Sequence, residues 1–294
     1  MKAVAAFAMT SRRNAIVAVL GLGVLPILGL LSAVPLLVVL LSMASLLSAA
    51  VVALVCMQQG AAEGFKVLVW ALLPTLVWAV SGLILPMAVV LGTFMLALVL
   101  SSTKSWELSL LSSVLVGLGV LMYVFITPGF FDALRPALEQ VFQESPELSE
   151  VFLVDGIDTL LNELAYGFCI GVMLYSVLLL MLARSWQAGL YNPGGFQKEF
   201  HQVRLSLKSA LILLAVTAAG VVLGNSPALA SFGLIPIFLV GLGLMHGIVA
   251  MKNWPVGFLV ILYATMVTGY TVLFVIMMAL LDSVMNFRKR LAQQ

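Results

Sequence analysis

Long apolar runs separated by short polar segments make up most of the chain. Nine runs are long enough to be membrane-crossing helices, because a span needs about 20 residues at a rise of about 1.5 Å each. Lipid offers the backbone no hydrogen-bond partner, so such runs are predicted to be α-helical. The expected spans are 14–32, 35–57, 65–82, 84–101, 107–127, 160–183, 207–224, 229–251 and 255–283. This pattern predicts an all-α fold, a polytopic transmembrane helical bundle of about nine spans, between eight and ten.

The last run, 255–283, is long for one span and short for two, which would need about 40 residues. Gly269 near its middle permits a break in the helix. With nine spans the basic tail Phe287–Arg290 would lie outside, where positive charge is disfavoured. The pattern leaves open whether this tail is external or one segment is re-entrant or split.

Lysine and arginine positions predict the orientation, because both are enriched in the cytoplasmic loops of membrane proteins. With the N-terminus in the cytoplasm, the external loops hold only Arg135. The cytoplasmic pieces then hold Lys2, Arg12, Arg13, Lys66, Lys104, Arg184, Lys198, Arg204, Lys208 and Lys252. We therefore expect a multi-pass protein of the bacterial inner membrane, with a cytoplasmic N-terminus and the lipid bilayer as its surroundings.

Residues 128–158 form the one sizeable external segment of this layout, and they carry seven acids against one arginine. Apolar residues at helical spacing before and after Ser145 predict two short amphipathic helices at the membrane surface. A solvated acidic loop and a lid over an external mouth are the alternatives. The chain thus divides into an N-terminal five-span part, 1–127, this segment, and a C-terminal part, 159–294, with a cytoplasmic loop at 184–208.

Composition excludes a soluble enzyme domain. Of the 294 residues, 63% are hydrophobic and 9% are charged, against roughly 25% charged in soluble domains. The mean hydropathy is +1.19. Cys56 and Cys169 both lie in apolar runs, which favours free packing thiols over a disulfide.

Catalytic and cofactor chemistry is poorly supplied. The two histidines, His201 and His246, do not stand at metal-ligand spacing. The sequence has neither a glycine-rich phosphate loop nor a G-x-S-x-G nucleophile motif. We expect no catalytic residues, no metal or other cofactor, no nucleic-acid partner and no enzyme activity.

Polar and aromatic residues at the predicted outer helix ends are candidate solute contacts. Asn162 and Tyr166 share one face of the sixth span, with Glu163 beside them. In the third span, Trp78 shares a face with Trp70. We take Trp78, Asn162, Glu163 and Tyr166 as candidate substrate-binding residues. Anchoring of the sixth span at the interface, and core packing for the tryptophans, are the alternative explanations.

The 184–208 loop is the richest cytoplasmic feature, with a turn-rich centre at 191–196 followed by basic residues. The candidate partner-docking residues are Asn192, Gly194, Gly195, Phe196, His201 and Arg204. A purely topological role for the positive charge is the alternative. Glycine pairs at four-residue spacing, 167/171, 220/224 and 243/247, favour close helix packing.

Several stretches resemble the YybS-like family of bacterial membrane proteins, which carries a domain of unknown function. They are the end of the sixth span through Arg184, the 194–204 loop, residues 243–246 and residues 280–290. The first four spans are also similar to the substrate-binding subunits of energy-coupling factor transporters, through the turn at 59–64. The second resemblance implies external capture of a vitamin or metal ion and a partner membrane coupling subunit with ATPases.

Together these features predict an integral membrane component that binds a solute for a transport system and lacks its own ATPase. The alternative is a membrane scaffold without transport function, which recruits partners through residues 184–208.

Overall fold

A computed structural model describes residues 2–32, 34–80, 82–127, 129, 131–145, 147–148, 156–224 and 226–291. All regular structure in these ranges is helical, and we number the α-helices in chain order. The first seven are α1 (Lys2–Thr10), α2 (Arg12–Ser32), α3 (Pro35–Ser45), α4 (Leu47–Gln59), α5 (Ala61–Val80), α6 (Leu85–Thr103) and α7 (Trp106–Ile126). The next are α8 (Arg135–Glu144), α9 (Ile157–Tyr191), α10 (Gly195–Gln202), α11 (Leu207–Gly224), α12 (Pro227–Met251), α13 (Gly257–Thr265), α14 (Tyr270–Met285) and α15 (Phe287–Leu291).

The chain is a multi-pass membrane protein, which confirms the predicted all-α polytopic bundle. Among the described residues, seven helices are long and apolar enough to cross a membrane, with α3 and α4 together forming one of them. The number rises to as many as nine if each of two bent helix pairs is one span. These pairs are α10 with α11, bent by 73°, and α13 with α14, bent by 115°.

The 255–283 run is split, which is one of the alternatives that its length and Gly269 left open. α13 ends at Thr265 and α14 begins at Tyr270, with a short 3-10 turn and Gly269 between them. The φ angle of Gly269 is 73°, a left-handed conformation that glycine adopts with little strain. The helix axis therefore turns by 115° at this break, so that α14 runs back towards the end from which α13 starts.

This reversal brings the basic tail back to the end of the bundle from which α13 starts. Arg204, which precedes α11, donates a hydrogen bond to the Asp282 carbonyl oxygen near the end of α14 (2.9 Å). Phe287–Arg290 follow directly in α15. We call this end, which also carries Arg12 and Arg184, the cation-rich end. The tail therefore lies beside the other cations, where nine straight spans would have separated it from them.

Helix α4 lies at the centre of the bundle. Every residue from Ser48 to Cys56 is at most 2% exposed, and the helix packs against α2, α5, α6 and α9. Its buried run is rich in alanine and valine, whose small side chains let neighbouring backbones approach closely in lipid.

Helix α9 connects the two halves of the bundle and is longer than its predicted span of 160–183. Its 35 residues extend over about 52 Å at 1.5 Å per residue, well beyond the roughly 30 Å of a hydrocarbon core. It packs against α4, α6, α7 and α12. Its last turns carry Arg184 and Gln187 at the cation-rich end, where they pack against α1 and the end of α4.

The opposite end holds the segment between α7 and α9. Helix α8 corresponds to the first predicted amphipathic helix, and Arg135 at its start pairs with Asp158 at the start of α9. The second predicted amphipathic helix lies largely outside the described residues. The division of the chain into 1–127, 128–158 and 159–294 stays a prediction.

Single cysteines at Gln197, Arg290 and Glu139 test this layout. We expect a membrane-impermeant thiol reagent to label Q197C and R290C from one side of the membrane and E139C from the other. Native Cys56 and Cys169 are fully buried, so background labelling should be low. Labelling of R290C from the same side as E139C would contradict the reversal at Gly269.

Candidate functional site

A tight turn at the end of α9 folds α10 back onto the cation-rich end. The Gly195 amide donates to the Asn192 carbonyl oxygen at 2.9 Å. Gly194 has a φ of 81°, in the left-handed region where a side chain adds strain. The turn-rich sequence noted at 191–196 therefore forms the turn that sets the direction of α10.

Two glycines of α12 let the backbone of α10 come close. A Cβ atom on Gly243 would lie 2.5 Å from the Phe200 carbonyl oxygen, and one on Gly247 would lie 2.9 Å from that of His201. Their four-residue spacing puts both on one face of the helix. This pair therefore holds a packed neighbour, whereas Cβ atoms on Gly167 and Gly171 would meet open space.

A row of rings runs along the inner side of α10. The Phe196 ring lies 6.0 Å from that of Trp106 on α7, and also 6.0 Å from that of Phe200. The rings of Phe200 and His201 lie 5.6 Å and 6.2 Å from the ring of His246 on α12. Aromatic contacts at these distances stabilise packing beyond simple area burial, so they fix α10 to both α7 and α12.

A network of charged and polar groups joins α9, α10 and α4 beside these rings. Arg184 donates to both carboxylate oxygens of Glu199, from Nε at 2.9 Å and from Nη2. The Trp106 indole donates to the same carboxylate at 3.2 Å. Arg184 also donates to Gln187 (2.8 Å), whose amide donates to Gln58 at the end of α4 (2.8 Å). The bidentate pair fixes both the distance and the angle between α9 and α10.

Two titratable side chains of α10, Glu199 and His201, differ in charge at neutral pH. Partial burial alone would raise the pKa of Glu199, but hydrogen bonds from Arg184 and Trp106 hold it below its usual value. The carboxylate therefore stays ionised at neutral pH. Partial burial, and then the positive charge of Arg288, lower the pKa of His201. Its imidazole is therefore neutral under the same conditions.

A cavity of about 300 Å³ opens next to the Arg184–Glu199 pair. Met57 and Leu100 give it an apolar wall, and its polar lining is Ser101, Lys104, Trp106, Arg184, Gln187 and Glu199. Because Arg184 and Glu199 neutralise each other, Lys104 supplies the excess charge. Lys104 is exposed, and no carboxylate in the described part of the chain lies within ion-pair distance of it. We call this space the inner cavity.

Asp282 forms a second charged junction and is fully buried. Its Oδ1 accepts from the Phe287 amide at 2.8 Å, and its Oδ2 accepts from Arg288 Nη1 at 3.0 Å. Arg204 lies 3.8 Å from the same Oδ2 and donates to the carbonyl oxygens of Asp282 and Ser283. One carboxylate thus holds together α14, α15 and the segment before α11.

The four predicted solute contacts lie on two helices, Trp78 on α5 and the other three on α9. Trp78 donates to the Gly23 carbonyl oxygen at 3.1 Å and joins α5 to α2. Glu163 accepts a hydrogen bond from Ser226 at 2.6 Å and joins α9 to the start of α12. Asn162 is exposed and Tyr166 is half-buried. Both hydrogen bonds are helix-to-helix contacts, and binding of a solute by these four residues stays a prediction.

The six predicted partner-docking residues divide into two groups. Gly195, Phe196, His201 and Arg204 are engaged in contacts within the chain, described above. Asn192 and Gly194 are exposed and are available to another molecule. Docking of a partner on this loop stays a prediction. The part of the loop that a partner could reach is the outward side of the turn and of α10.

Sequence reasoning missed Glu199, Trp106 and Asp282 as parts of a site. Glu199 and its partner Arg184 are 15 positions apart, across a turn whose geometry the sequence did not define. Asp282 had a usable signal, because it is the one acid within the last apolar run and buried charges demand partners.

No family model, curated protein or solved structure was found to match this chain. The resemblances to the YybS-like family and to energy-coupling factor subunits therefore stay predictions.

Gly243→Ala tests the backbone contact between α10 and α12. The new methyl group would collide with the Phe200 carbonyl oxygen, so we expect a loss of about 1–3 kcal/mol in stability, typical of overpacking. Thermal unfolding in mild detergent measures this. Gly167→Ala is the matched control, since its methyl group meets open space. Equal melting temperatures for the two variants would refute close packing at Gly243.

A double-mutant cycle on Arg184→Gln and Glu199→Gln tests the ion pair. The Arg184 side chain is 18% exposed and that of Glu199 35%, so screening by solvent limits the expected coupling energy to about 1–2 kcal/mol. The pair of Arg12 with Glu63 is the control, because Arg12 is 53% exposed and should show no measurable coupling. Additive effects of the two glutamine substitutions would contradict the role assigned to the pair.

Proposed function

We propose that this chain is a solute-binding membrane subunit of a transport system and that the inner cavity is its binding place. In this proposal the cation-rich end faces the cytoplasm of a bacterial cell, in keeping with the preference of lysine and arginine for that side. The protein is not an enzyme, and a partner with its own ATPases supplies the energy.

The inner cavity is the observation that carries the proposal. Its volume of about 300 Å³ lies at the lower end of the range of small-molecule sites, and convergent polar groups on an apolar wall are typical of them. Hydrogen bonds between Arg184, Glu199, Trp106 and Gln187 hold its lining in place before any ligand arrives. Such preorganisation reduces the entropy lost on binding.

The lining indicates the chemistry of the solute. With Arg184 and Glu199 paired, the ammonium group of Lys104 is the charge left to meet a ligand. The Trp106 ring and the Leu100 side chain offer apolar contact beside it. A small carboxylate with an apolar portion fits this combination of one cation and one apolar wall.

A panel of carboxylates, amino acids, vitamins and divalent metal ions, added singly to the purified protein, tests the proposal. A ligand at about 100 times its dissociation constant stabilises the native state by about 2.7 kcal/mol, so we expect a melting temperature higher by about 5–10 °C. Lys104→Gln should abolish most of this shift. Lys208→Gln, an exposed cation of the same end outside the cavity, should leave it intact.

Variants of the outer-end residues test the alternative binding place. If Asn162→Ala and Tyr166→Phe abolish the shift while Lys104→Gln does not, the solute binds at the outer end and the inner cavity is not the site. A panel without any stabilising compound would contradict a solute-binding role.

The exposed outward side of α10 and of the turn before it supports the scaffold alternative, because Gln197 and Gln202 are exposed on a firmly held helix and Asn192 is exposed in the turn. Affinity purification in mild detergent separates the two functions. Co-purifying ATPase subunits favour the transport complex, whereas a partner without ATPases that is lost in Asn192→Ala with Gln197→Ala favours the scaffold. These positions suit the test better than Phe196, His201 or Arg204, whose loss would disturb the fold.

A further inference from the structure

A second cleft lies on the other side of α10, away from the inner cavity. It has a volume of about 520 Å³ and eight lining residues: Lys198, His201 and Gln202 of α10, Gly247, Ala250 and Met251 of α12, and Arg288 and Lys289 of α15. Three of these eight residues are lysine or arginine, and no acid is part of the lining. We call this space the cationic cleft.

Arg288 is the most unusual group in the cleft. Its side chain is only 12% exposed, and its Nη1 donates to Asp282 at 3.0 Å. Its Nε and Nη2 atoms are buried and have no acceptor among the described residues. A buried guanidinium with unpaired donors is costly, because burial removes the water that would otherwise accept those hydrogen bonds.

Glycine at 247 leaves no side chain beside Arg288 Nε. A Cβ atom there would lie 3.7 Å from Arg288 Nε and 2.9 Å from the His201 carbonyl oxygen. A side chain at this position would therefore fill the floor of the cleft beside Nε.

Nearby carboxylates do not neutralise the cleft. Asp282 already accepts from Arg288 and lies beside Arg204, so one negative charge faces two arginines. Glu199 points to the other side of α10 and is paired with Arg184. Lys198 and Lys289 are exposed and remain as excess positive charge at the mouth.

We propose that the cationic cleft binds the phosphate group of a phosphate ester, with Arg288 as the principal donor and Lys198 and Lys289 at the mouth. A phosphate offers several acceptor oxygens in the geometry that a guanidinium fork meets well. The volume exceeds that of a bare phosphate and leaves room for the rest of an ester. Met251 and Ala250 at the end of α12 give one side of the cleft an apolar edge. The ester is either the headgroup of an anionic phospholipid or a soluble phosphorylated molecule.

The test compares two probes on the full-length protein in a maltoside detergent free of phosphate. One probe is phosphatidylglycerol in mixed micelles and the other is inorganic phosphate, each against sodium chloride at equal ionic strength. Binding is followed by native mass spectrometry and by melting temperature. We expect at least one probe to bind the wild-type protein saturably and to raise its melting temperature.

Variants decide whether the cleft is responsible. Arg288→Gln should weaken binding about tenfold or more, as expected for loss of a charge-assisted hydrogen-bond donor. Because Arg288 also holds Asp282, the doubly substituted K198Q/K289Q tests the same site through exposed side chains and should weaken binding about tenfold. K208Q/R290Q removes two exposed cations of the same end that do not line the cleft, and it should bind as the wild type does.

Each outcome is decisive. Binding of phosphatidylglycerol without inorganic phosphate supports the lipid headgroup, and comparable binding of inorganic phosphate supports a soluble ester. Absence of binding by both probes overturns the proposal. Equal loss in K198Q/K289Q and K208Q/R290Q also overturns it, because attraction would then come from the net charge of the whole end.

The proposal is independent of the solute-binding function. It concerns a different space on the opposite side of α10, and Lys104→Gln should not affect phosphate binding. The two ideas can therefore fail separately.

Discussion

Exclusion of charge from the lipid core is the constraint on which the rest of this structure depends. An ionisable group in hydrocarbon is costly unless it is paired or reaches water. All seven ion pairs found among the described residues accordingly lie at the two ends of the bundle. The apolar middle is held by close helix packing instead, most tightly around α4. The polar chemistry available to this protein is therefore concentrated at its ends, and the richer of these is the cation-rich end.

Helix α10 organises that end. It is only eight residues long, too short to be stable as an isolated helix, so its contacts must hold it in place. Its backbone packs against two glycines of α12, rings of α7 and α12 pack against its own aromatic side chains, and Arg184 of α9 pairs with Glu199. Because α10 separates the inner cavity from the cationic cleft, one docked helix shapes both candidate sites. A movement of α10 would change the two spaces together, which gives a structural route for coupling between them.

The apolar pattern was sufficient to predict the fold class and eight of the nine runs as helices, because length and hydropathy alone decide whether a run suits lipid. It left 255–283 undecided, since a single left-handed glycine decides whether such a run is straight. The charge pattern favoured a split run, because one straight span would have put the basic tail outside, and the turn at Gly269 accounts for the position of that tail.

The candidate site was less predictable than the fold. Glu199 acquires its role from Arg184 across a turn, and Asp282 acquires its role from Arg288 in the next helix and from the distant Arg204. Helix periodicity carries no information about such pairs. The 184–208 loop was recognised as a feature from its turn residues and charge. Its contacts with Trp106 and His246 depend on how three helices pack, and this packing cannot be deduced from hydropathy and charge patterns alone.

Hydrogen–deuterium exchange of the wild-type protein in nanodiscs tests the docking of α10 most directly. Exchange at a short helix reports whether tertiary contacts hold it closed. We predict that amides within 196–203 stay protected for minutes or longer, at a level approaching that of 240–250 in α12. Complete exchange of 196–203 within seconds, while 240–250 stays protected, would show that α10 is not held against the bundle and would contradict the account.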